Sequence, residues 1–468
     1  MSRLILDASS LICWTGPPVG IVRVESELAA AARAAALPLE LAFFDPAQKL
    51  YRSLTPAWAE ALRGWHAAIN PFDLDAALKR HGWRRLMPSR GRILSRLERT
   101  RLLTPHPLVA GAAQMLQRLV LSVKAHDYPF FAAEGSRISL VPVDLALAGP
   151  ITPQRGDVIL IASANWSSKD PSSLAAIKQR SGARIAAVCY DLIPITHPQF
   201  YRPLDTAAFD RYWKAMFSIL DTVIVNAPAI RDDVVAYCRG LGIPAPAVAV
   251  IPLGSRFSEP ADPTGDATLP DALEPDRYAL FVSTIEPRKN HRMLLDIWER
   301  LLARGIPQAH RFKLVFVGRP GWMTDDVIRR LKAPRVFGGT VVHLRQVGDA
   351  LLRALYKNAA FCLYPSIYEG YGLPVVEAFA LGKAVISSNG GALRDVTEGL
   401  CPTIDPGDTA GWEKAITDWI AFPALRRETE DRIKREFRPL TWSEGARRLL
   451  SAAGFDPAAA KAAMAIDL

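Results

Sequence analysis

The chain has 468 residues, of which 50% are hydrophobic and 22% charged, and a formal net charge of +10. Such a length outgrows one ordinary core, so two or three domains are expected, and the composition excludes a disordered chain. No apolar run reaches the roughly 18–20 residues that cross a bilayer, and the cationic excess points to an anionic partner such as a phosphorylated small molecule, an anionic membrane or nucleic acid.

The opening run from Arg3 to Ala8 predicts a strand, broken by Asp7 too early for a signal peptide. A Gly/Pro loop from Thr15 to Gly20 follows, then an Ala-rich helix that carries Arg23 and ends near Ala35. Strand, loop and helix in this order open a nucleotide-binding α/β unit, although the loop lacks the GxGxxG spacing of a dinucleotide site. From Tyr51 to Ala133 the pattern turns helical and irregular and reads as an insertion. Within it, residues 79–101 mix arginines with Trp83, Leu86, Ile93 and Leu94, either a membrane-surface patch or a solvated helical face. Aromatic residues suited to base stacking are nearly absent there, so nucleic acid is not an expected partner. His66, His81, His106 and His126 have no partner spacing. The cysteines Cys13, Cys189, Cys238, Cys362 and Cys401 are scattered in mostly apolar surroundings and read as buried thiols of a cytoplasmic protein without metal-ligand spacing.

Apolar runs at 137–143, 157–163 and 184–190 predict strands of a buried parallel sheet. Tyr190-Asp191 stands at the carboxyl end of the third, where open α/β sheets take their ligands. His197, beside Pro198, is either a structural loop residue or a proton acceptor. Runs at 221–226 and 248–252 supply two further strands, and the Pro/Asp/Gly-rich segment 257–276 reads as a linker. A new strand starts at Tyr278 and leads through Thr284 to the adjacent cations Arg288 and Lys289. The helix behind them sets Met293, Leu294, Ile297 and Leu301 on one face and stops at Gly305. Neighbouring cations at such a place are either solvated or a phosphate clamp, arginine as a fork and lysine as a point charge. Strands at 312–318 and 341–344 come next, the first running into Arg319-Pro320-Gly321-Trp322 and the second towards Val347.

The most informative stretch is Tyr364 to Arg394. A strand at 361–364 ends in Pro365-Ser366, and the turn Glu369-Gly370-Tyr371-Gly372-Leu373-Pro374 leads into an apolar helix from Val375 to Leu381. Pro374 suits the first helical position, where a missing N–H costs nothing, and Gly370 and Gly372 let the backbone pass close to a bound group. The amides from Gly372 to Val375 and the positive end of the helix dipole favour an anion in front of the turn. Glu369 and Glu377 bracket the turn with seven residues between them. A lone glutamate at a helix start commonly does no more than offset the dipole. Here the glycines, the proline and both acids together resemble the E-x7-E signature of the retaining, nucleotide-sugar-dependent glycosyltransferases of family 4, the mannosyltransferase-like group 1 enzymes. The resemblance covers the C-terminal half, with Tyr371 where the family more often has Phe. Glu286-Pro287-Arg288-Lys289-Asn290 is similar to the family's EPRKN segment, with Thr284 where some members carry another arginine. The first loop, from Gly16 through Gly20 to Arg23 and Val24, resembles an interrupted TGI-x-RV sequence, and Tyr190-Asp191-Leu192 resembles His-Asp-Leu with Tyr190 replacing the histidine.

That resemblance implies an α/β GT-B fold, two Rossmann-like domains facing each other across a cleft. The first would span 1–256 with a helical insertion at about 51–133, then a linker at 257–276, the donor domain at 277–440, and a helix in 441–468 crossing back. It implies that Arg288 and Lys289 hold the donor diphosphate, Glu369 the donor sugar hydroxyls and Glu377 the ribose. Gly370, Tyr371, Gly372, Leu373 and Thr284 would line the donor site, and the backbone near Val347 would read the base. Asp191 would lie near the sugar or acceptor, with Gly20, Arg23, Tyr190 and His197 on the acceptor side. The expected reaction is retaining transfer of a hexose, best mannose, with GDP-mannose ahead of a UDP- or dTDP-sugar, to a lipid-linked or polysaccharide acceptor. No metal and no further cofactor are expected, and the enzyme would sit peripherally at the inner face of the cytoplasmic membrane. The alternatives are a GT-B nucleotide-sugar epimerase or glycogen-type synthase, and a non-catalytic membrane-associated scaffold.

Overall fold

The computed structural model describes residues 2–12, 20–46, 48–56, 59, 97, 108–109, 111–112, 115–116, 130–134, 137–141, 147–163, 166, 169–255, 257, 267–333, 337–345 and 347–455. Most of the expected insertion, nearly all of the basic stretch 79–101, the loop at Gly16, Cys13 and the histidines at 66, 81, 106 and 126 lie outside them.

The N-terminal half contains β1 (Leu4–Asp7), β2 (Leu39–Asp45), β3 (Leu50–Leu54), β4 (Phe130–Glu134), β5 (Arg137–Val141), β6 (Leu147–Pro150), β7 (Val158–Ile161), β8 (Arg184–Cys189), β9 (Thr222–Val225) and β10 (Ala247–Val250). Its helices are α1 (Ser9–Ile12), α2 (Ile21–Ala34), α3 (Pro171–Ser181), α4 (Ile193–Thr196), α5 (Pro203–Phe217) and α6 (Pro228–Gly240). Eight strands form one sheet in the order β10-β9-β8-β7-β1-β2-β3-β6. β1 pairs in parallel with β2 and β7, and β7 with β8. All four residues of β1 and of β7 are buried, as strands covered on both faces require.

Two expectations fail here. The segment thought to be helical from Tyr51 begins instead as β3, antiparallel to β2, and β3 in turn pairs antiparallel with β6. The run at 137–143, expected in the parallel sheet, is one arm of a separate antiparallel hairpin in which Glu134 pairs with Arg137. Apolar content alone does not tell a buried parallel strand from a hairpin arm, and the Gly-Ser pair between the two arms was the available signal.

The C-terminal half holds β11 (Tyr278–Val282), α7 (His291–Ala303), α8 (Ile306–Ala309), β12 (Lys313–Val317), α9 (Asp325–Leu331), β13 (Val341–Leu344), α10 (Asp349–Asn358) and β14 (Phe361–Tyr364). These are followed by α11 (Leu373–Ala380), β15 (Val385–Ser388), α12 (Leu393–Thr397), β16 (Thr403–Ile404), α13 (Thr409–Ala421), α14 (Pro423–Glu436) and α15 (Trp442–Ala452). The six strands are all parallel in the order β13-β12-β11-β14-β15-β16. This is the doubly wound order, and its direction reverses between β11 and β14, where such sheets bind ligands beyond their carboxyl ends. Arg288 and Lys289 follow β11, and Glu369 follows β14, so the topology alone delivers them to one crevice.

α7 exists because Met293, Leu294, Ile297, Trp298 and Leu301 recur on one buried face, and Gly305 ends it at a φ of 73° that an L side chain disfavours. Phe281, Phe316, Phe361 and Trp298 are almost completely buried, each contributing about 1.5–3 kcal/mol by removal from water. The Trp298 indole N–H donates to Thr340 Oγ1 at 2.9 Å, so its burial strands no donor. Both ends of the expected linker belong to this core: Phe257 and Leu273 are buried in it, and Phe257 meets Tyr356 edge-on at 5.8 Å.

By contact density the chain parts into two units, one of Met1–Val188, Arg211–Val223 and Leu449–Leu468, the other of Cys189–Asp210 and Ile224–Arg448. Segments 189–210 and 224–256, expected with the first domain, therefore group with the second. Three contacts within that unit supply the reason. Asp395 Oδ2 accepts the Ala229 amide at 2.8 Å, the Tyr371 hydroxyl donates to Leu253 O at 3.0 Å, and the Trp322 indole donates to Phe200 O at 2.7 Å.

Candidate active site

The connection after β11 forms a short 3-10 turn at Pro287–Lys289, and Asn290 in the left-handed region, φ 61°, launches α7. The connection after β14 runs beside it, tied by the Ile367 amide donating to Arg288 O at 2.8 Å. Three side chains meet there. Arg288 Nη1 lies 2.9 Å from Glu369 Oε2 and also donates to Tyr368 O at 2.5 Å, while Nη2 reaches Glu286 Oε1 at 2.7 Å. Lys289 Nζ donates to Glu369 Oε1 and, at 3.2 Å, to the Tyr364 hydroxyl. Arg288 thus forks across two acids and a carbonyl, whereas Lys289 is a point charge on one acid.

The electrostatics follow from burial set against the two cations. Burial would push the Glu369 carboxyl up, but Arg288 and Lys289 outweigh it and hold the group down at about 2. Burial draws the Lys289 ammonium below its ordinary value despite Glu369. Burial also raises Glu286 and Asp191, against the pull of Arg288. The group is a pre-formed field of two cations among three acids, in a place where charge is weakly screened.

Gly370 shows why the turn needs its glycines. A Cβ there would lie 2.6 Å from Tyr190 O and 2.9 Å from Asp191 Cβ, so the segment after β8 packs directly on the turn. Asp191 is held in place by the Ile193 amide, which donates to Oδ1 at 3.0 Å. Gly372, φ 103°, caps α11, and a Cβ there would meet Leu393 Cδ2 at 2.6 Å. α11 starts at Leu373, earlier than expected, and the Val375 amide, expected to face a ligand, instead donates to Gly372 O at 2.9 Å. Glu377 is buried on α11 and accepts from the Tyr356 hydroxyl at 3.1 Å. Lys289 links Glu369 to the end of β14 through the Tyr364 hydroxyl.

Around this centre, the Tyr368 hydroxyl donates to Asp233 Oδ2 at 2.6 Å, and the His197 ring lies 4.4 Å from the Tyr368 ring. Burial lowers His197, against the pull of Asp233, and so favours the neutral imidazole. Tyr190 contributes its carbonyl, which accepts from Asn226 Nδ2 at 3.2 Å. Thr284 is exposed, and the Val347 side chain packs on the core of the second unit. Gly20, φ 53°, caps α2, and Arg23 pairs with Glu27 at 3.3 Å; both belong to the other unit. Sequence reasoning overlooked Glu286, Tyr364, Tyr368 and Asp233. Only Glu286 offered a signal, as the first residue of the motif that carries both cations. Among the described residues no group of three His, Cys, Asp or Glu could hold a metal ion, and no helix is long and apolar enough to cross a membrane.

Residues 270–436 match the family model of glycosyl transferases group 1. The chain is similar to O-antigen chain mannosyltransferase B of Escherichia coli, 33% identical over 165 residues, which are 35% of this chain and 42% of that protein. It is also similar to the serotype-specific mannosyltransferase WbdA of Escherichia coli, 25% identical over 285 residues, covering 58% of this chain and 33% of that one. A D-inositol 3-phosphate glycosyltransferase of Actinosynnema mirum is 30% identical over 246 residues, 50% of this chain and 57% of that protein. The chain thus spans between a third and three fifths of the length of these relatives. Among solved structures, an α,α-trehalose-phosphate synthase from Burkholderia xenovorans superposes with a TM-score of 0.51 at 16% identity, over 64% of this chain and 72% of that one. That likeness concerns the fold, which is GT-B with two α/β domains built on mostly parallel sheets, as the sequence led one to expect.

Proposed function

We propose that the chain, whose residues 270–436 match the model of group 1 glycosyl transferases, is a retaining hexosyltransferase drawing on a nucleotide diphosphate sugar. The observation that carries the proposal is the convergence of Arg288 and Lys289 on Glu369, one residue ahead of the glycine turn that starts α11. Arginine and lysine supply positive charge where the departing diphosphate gains negative charge, which stabilises the transition state more than the ground state. As the bond from the anomeric carbon to the diphosphate breaks, its electron pair goes to the phosphate oxygen. The acceptor oxygen attacks from the same face, and its proton passes to a phosphate oxygen. Glu369 holds the donor sugar hydroxyls, Glu377 the ribose, and Asp191 the sugar or acceptor.

Mannose is the favoured hexose and GDP-mannose the favoured donor, because the mannosyltransferases above are similar to this chain over 165 and 285 residues. A lipid-linked or polysaccharide acceptor, at the inner face of the cytoplasmic membrane, completes the proposal, with no metal or further cofactor taking part. A thermal-shift screen with GDP, UDP and dTDP tests it first, GDP being expected to stabilise most. Turnover of GDP-mannose should survive chelator, give a product of retained anomeric configuration by NMR, and fall by about 10²–10³-fold in E369A and E369Q. Near-normal turnover in E369A removes the site assignment. Donor consumption without acceptor would favour an epimerase, and failure to bind any nucleotide a scaffold.

A further inference from the structure

Two segments that the reaction scheme does not use pack beside Ile285, shortly before Arg288 in the chain, and Tyr368, which holds it. The loop after β12 lies flat on the segment leading to the clamp: the Ile285 amide donates to Arg319 O at 2.9 Å and the Gly321 amide to Ile285 O at 2.7 Å. A Cβ at Gly321 would sit 2.7 Å from Ile285 O, so only glycine allows this approach. The loop delivers Trp322, whose indole N–H is engaged by Phe200 O at 2.7 Å. From the other side, the segment after α4 brings His197 onto Tyr368, whose carbonyl holds Arg288, and sets the Tyr201 ring 5.7 Å from the Trp322 ring at 36°.

We infer that Tyr201 and Trp322 form a stacking subsite for a pyranose ring of the acceptor glycan, beside the cationic centre. With its N–H already used, Trp322 has only apolar surface to offer, and the C–H face of a pyranose is the apolar surface a saccharide presents. Both rings are half-buried, and each is followed closely by an apolar residue left in solvent, Leu204 at 84% and Met323 at 57% exposure. Met323 is held at φ 55°, a conformation non-glycine residues seldom adopt and one that concentrates at functional sites. The donor's expected contacts, Lys289, Glu369 and Glu377, are all buried. A glycan arriving from solvent meets the aromatic pair first, so the pair belongs to the acceptor.

This inference rests on the glycosyltransferase reading, and the test separates the two. Saturation-transfer NMR is run on the full chain saturated with whichever of GDP, UDP or dTDP it binds, using methyl glycosides of mannose, glucose, galactose and rhamnose as probes. Ring C–H protons of at least one glycoside should receive saturation in the wild type. W322L and Y201L should weaken that glycoside by roughly tenfold, W322F should retain most of the binding, and nucleotide affinity should stay within about twofold. Unchanged glycoside binding in both leucine variants, no glycoside contact in a nucleotide-binding wild type, or a parallel loss of nucleotide affinity overturns the subsite. A wild type that binds no nucleotide overturns the glycosyltransferase reading itself. Two variants on separate segments keep the outcome decisive should one of them fail to fold.

Discussion

Each unit buries a cluster of charges at a strand's carboxyl end, and the two clusters behave in opposite ways. In the first unit, Asp7 at the end of β1 lies 3.3 Å from Lys169 Nζ with both side chains fully buried, and the Tyr51 hydroxyl donates to Asp7 Oδ2 at 2.9 Å. Glu25 on α2 accepts the Leu11 amide at 2.8 Å. Burial, then the neighbouring Asp7, pushes its carboxyl up to about 8, so it holds its proton at neutral pH. In the second unit Glu369 is equally removed from water, yet is held at about 2. Direct contact makes the difference: Lys169 pairs with Asp7 and only weakly offsets the burial of Glu25, while Arg288, which also holds Glu286, and Lys289 both touch Glu369. Burial alone therefore does not decide whether an acid is charged. The first cluster is closed and reads as core; the second keeps its arginine and lysine slightly accessible, 11% each, as a site must.

Removing one cation from the second cluster should make it resemble the first. R288A is expected to lower turnover by about 10²–10³-fold and, by leaving two buried acids short of a partner, to lose roughly 3–5 kcal/mol of stability. Initial rates at saturating donor and urea unfolding measure the two effects, and a fully stable, fully active R288A would erase the contrast.

The pH dependence sharpens the comparison because the two acids act on opposite limbs. Glu25 is raised from 4.5 to about 8, so the stability it contributes is whole below pH 4.5 and is lost as pH climbs towards 8. That displacement sets an upper limit of ~5 kcal/mol, of which roughly 1–3 kcal/mol is expected in practice. E25Q should flatten stability against pH between 5 and 8; an unchanged slope would place Glu25 outside the balance. Glu369 is lowered from 4.5 to about 2, so its contribution is whole above pH 4.5 and lost as pH falls towards 2, and E369Q should flatten that acid limb instead.

Smaller effects test how the second cluster is assembled. G370A would drive a methyl group into Tyr190 O and Asp191, and about 1–3 kcal/mol of destabilisation is expected with lowered turnover. Y356F removes the hydroxyl that Glu377 accepts and should cost about 1 kcal/mol. If Glu377 serves the donor, KM for the nucleotide sugar rises in Y356F. If stability alone changes, Glu377 is a core acid like Glu25.

Much of the second unit was readable in the chain because its determinants are local. The spacing of Met293, Leu294, Ile297 and Leu301 gives α7 its face, Gly305 its end, and Pro374 behind Gly372 the start of α11. That the segments carrying Arg288, Lys289 and Glu369 share one crevice could be anticipated because both follow apolar strands. The first unit was less readable. β2 and β6 went unnoticed, β3 reads as helix from its sequence and β5 as part of the parallel sheet, because an antiparallel neighbour is fixed by residues far away in sequence.

What the sequence determined by itself was the kind of domain, its turns and the identity of the cations and acids, since propensity, periodicity and glycine geometry act within a few residues. Tertiary structure alone decided which acids keep their charge, that Glu286 and Tyr368 share Arg288 with Glu369, and that Trp322 docks on Phe200 beside Tyr201. The physical reason is that electrostatic energies depend on distances and burial between side chains as far apart in sequence as Asp7 and Lys169, and no local pattern records those.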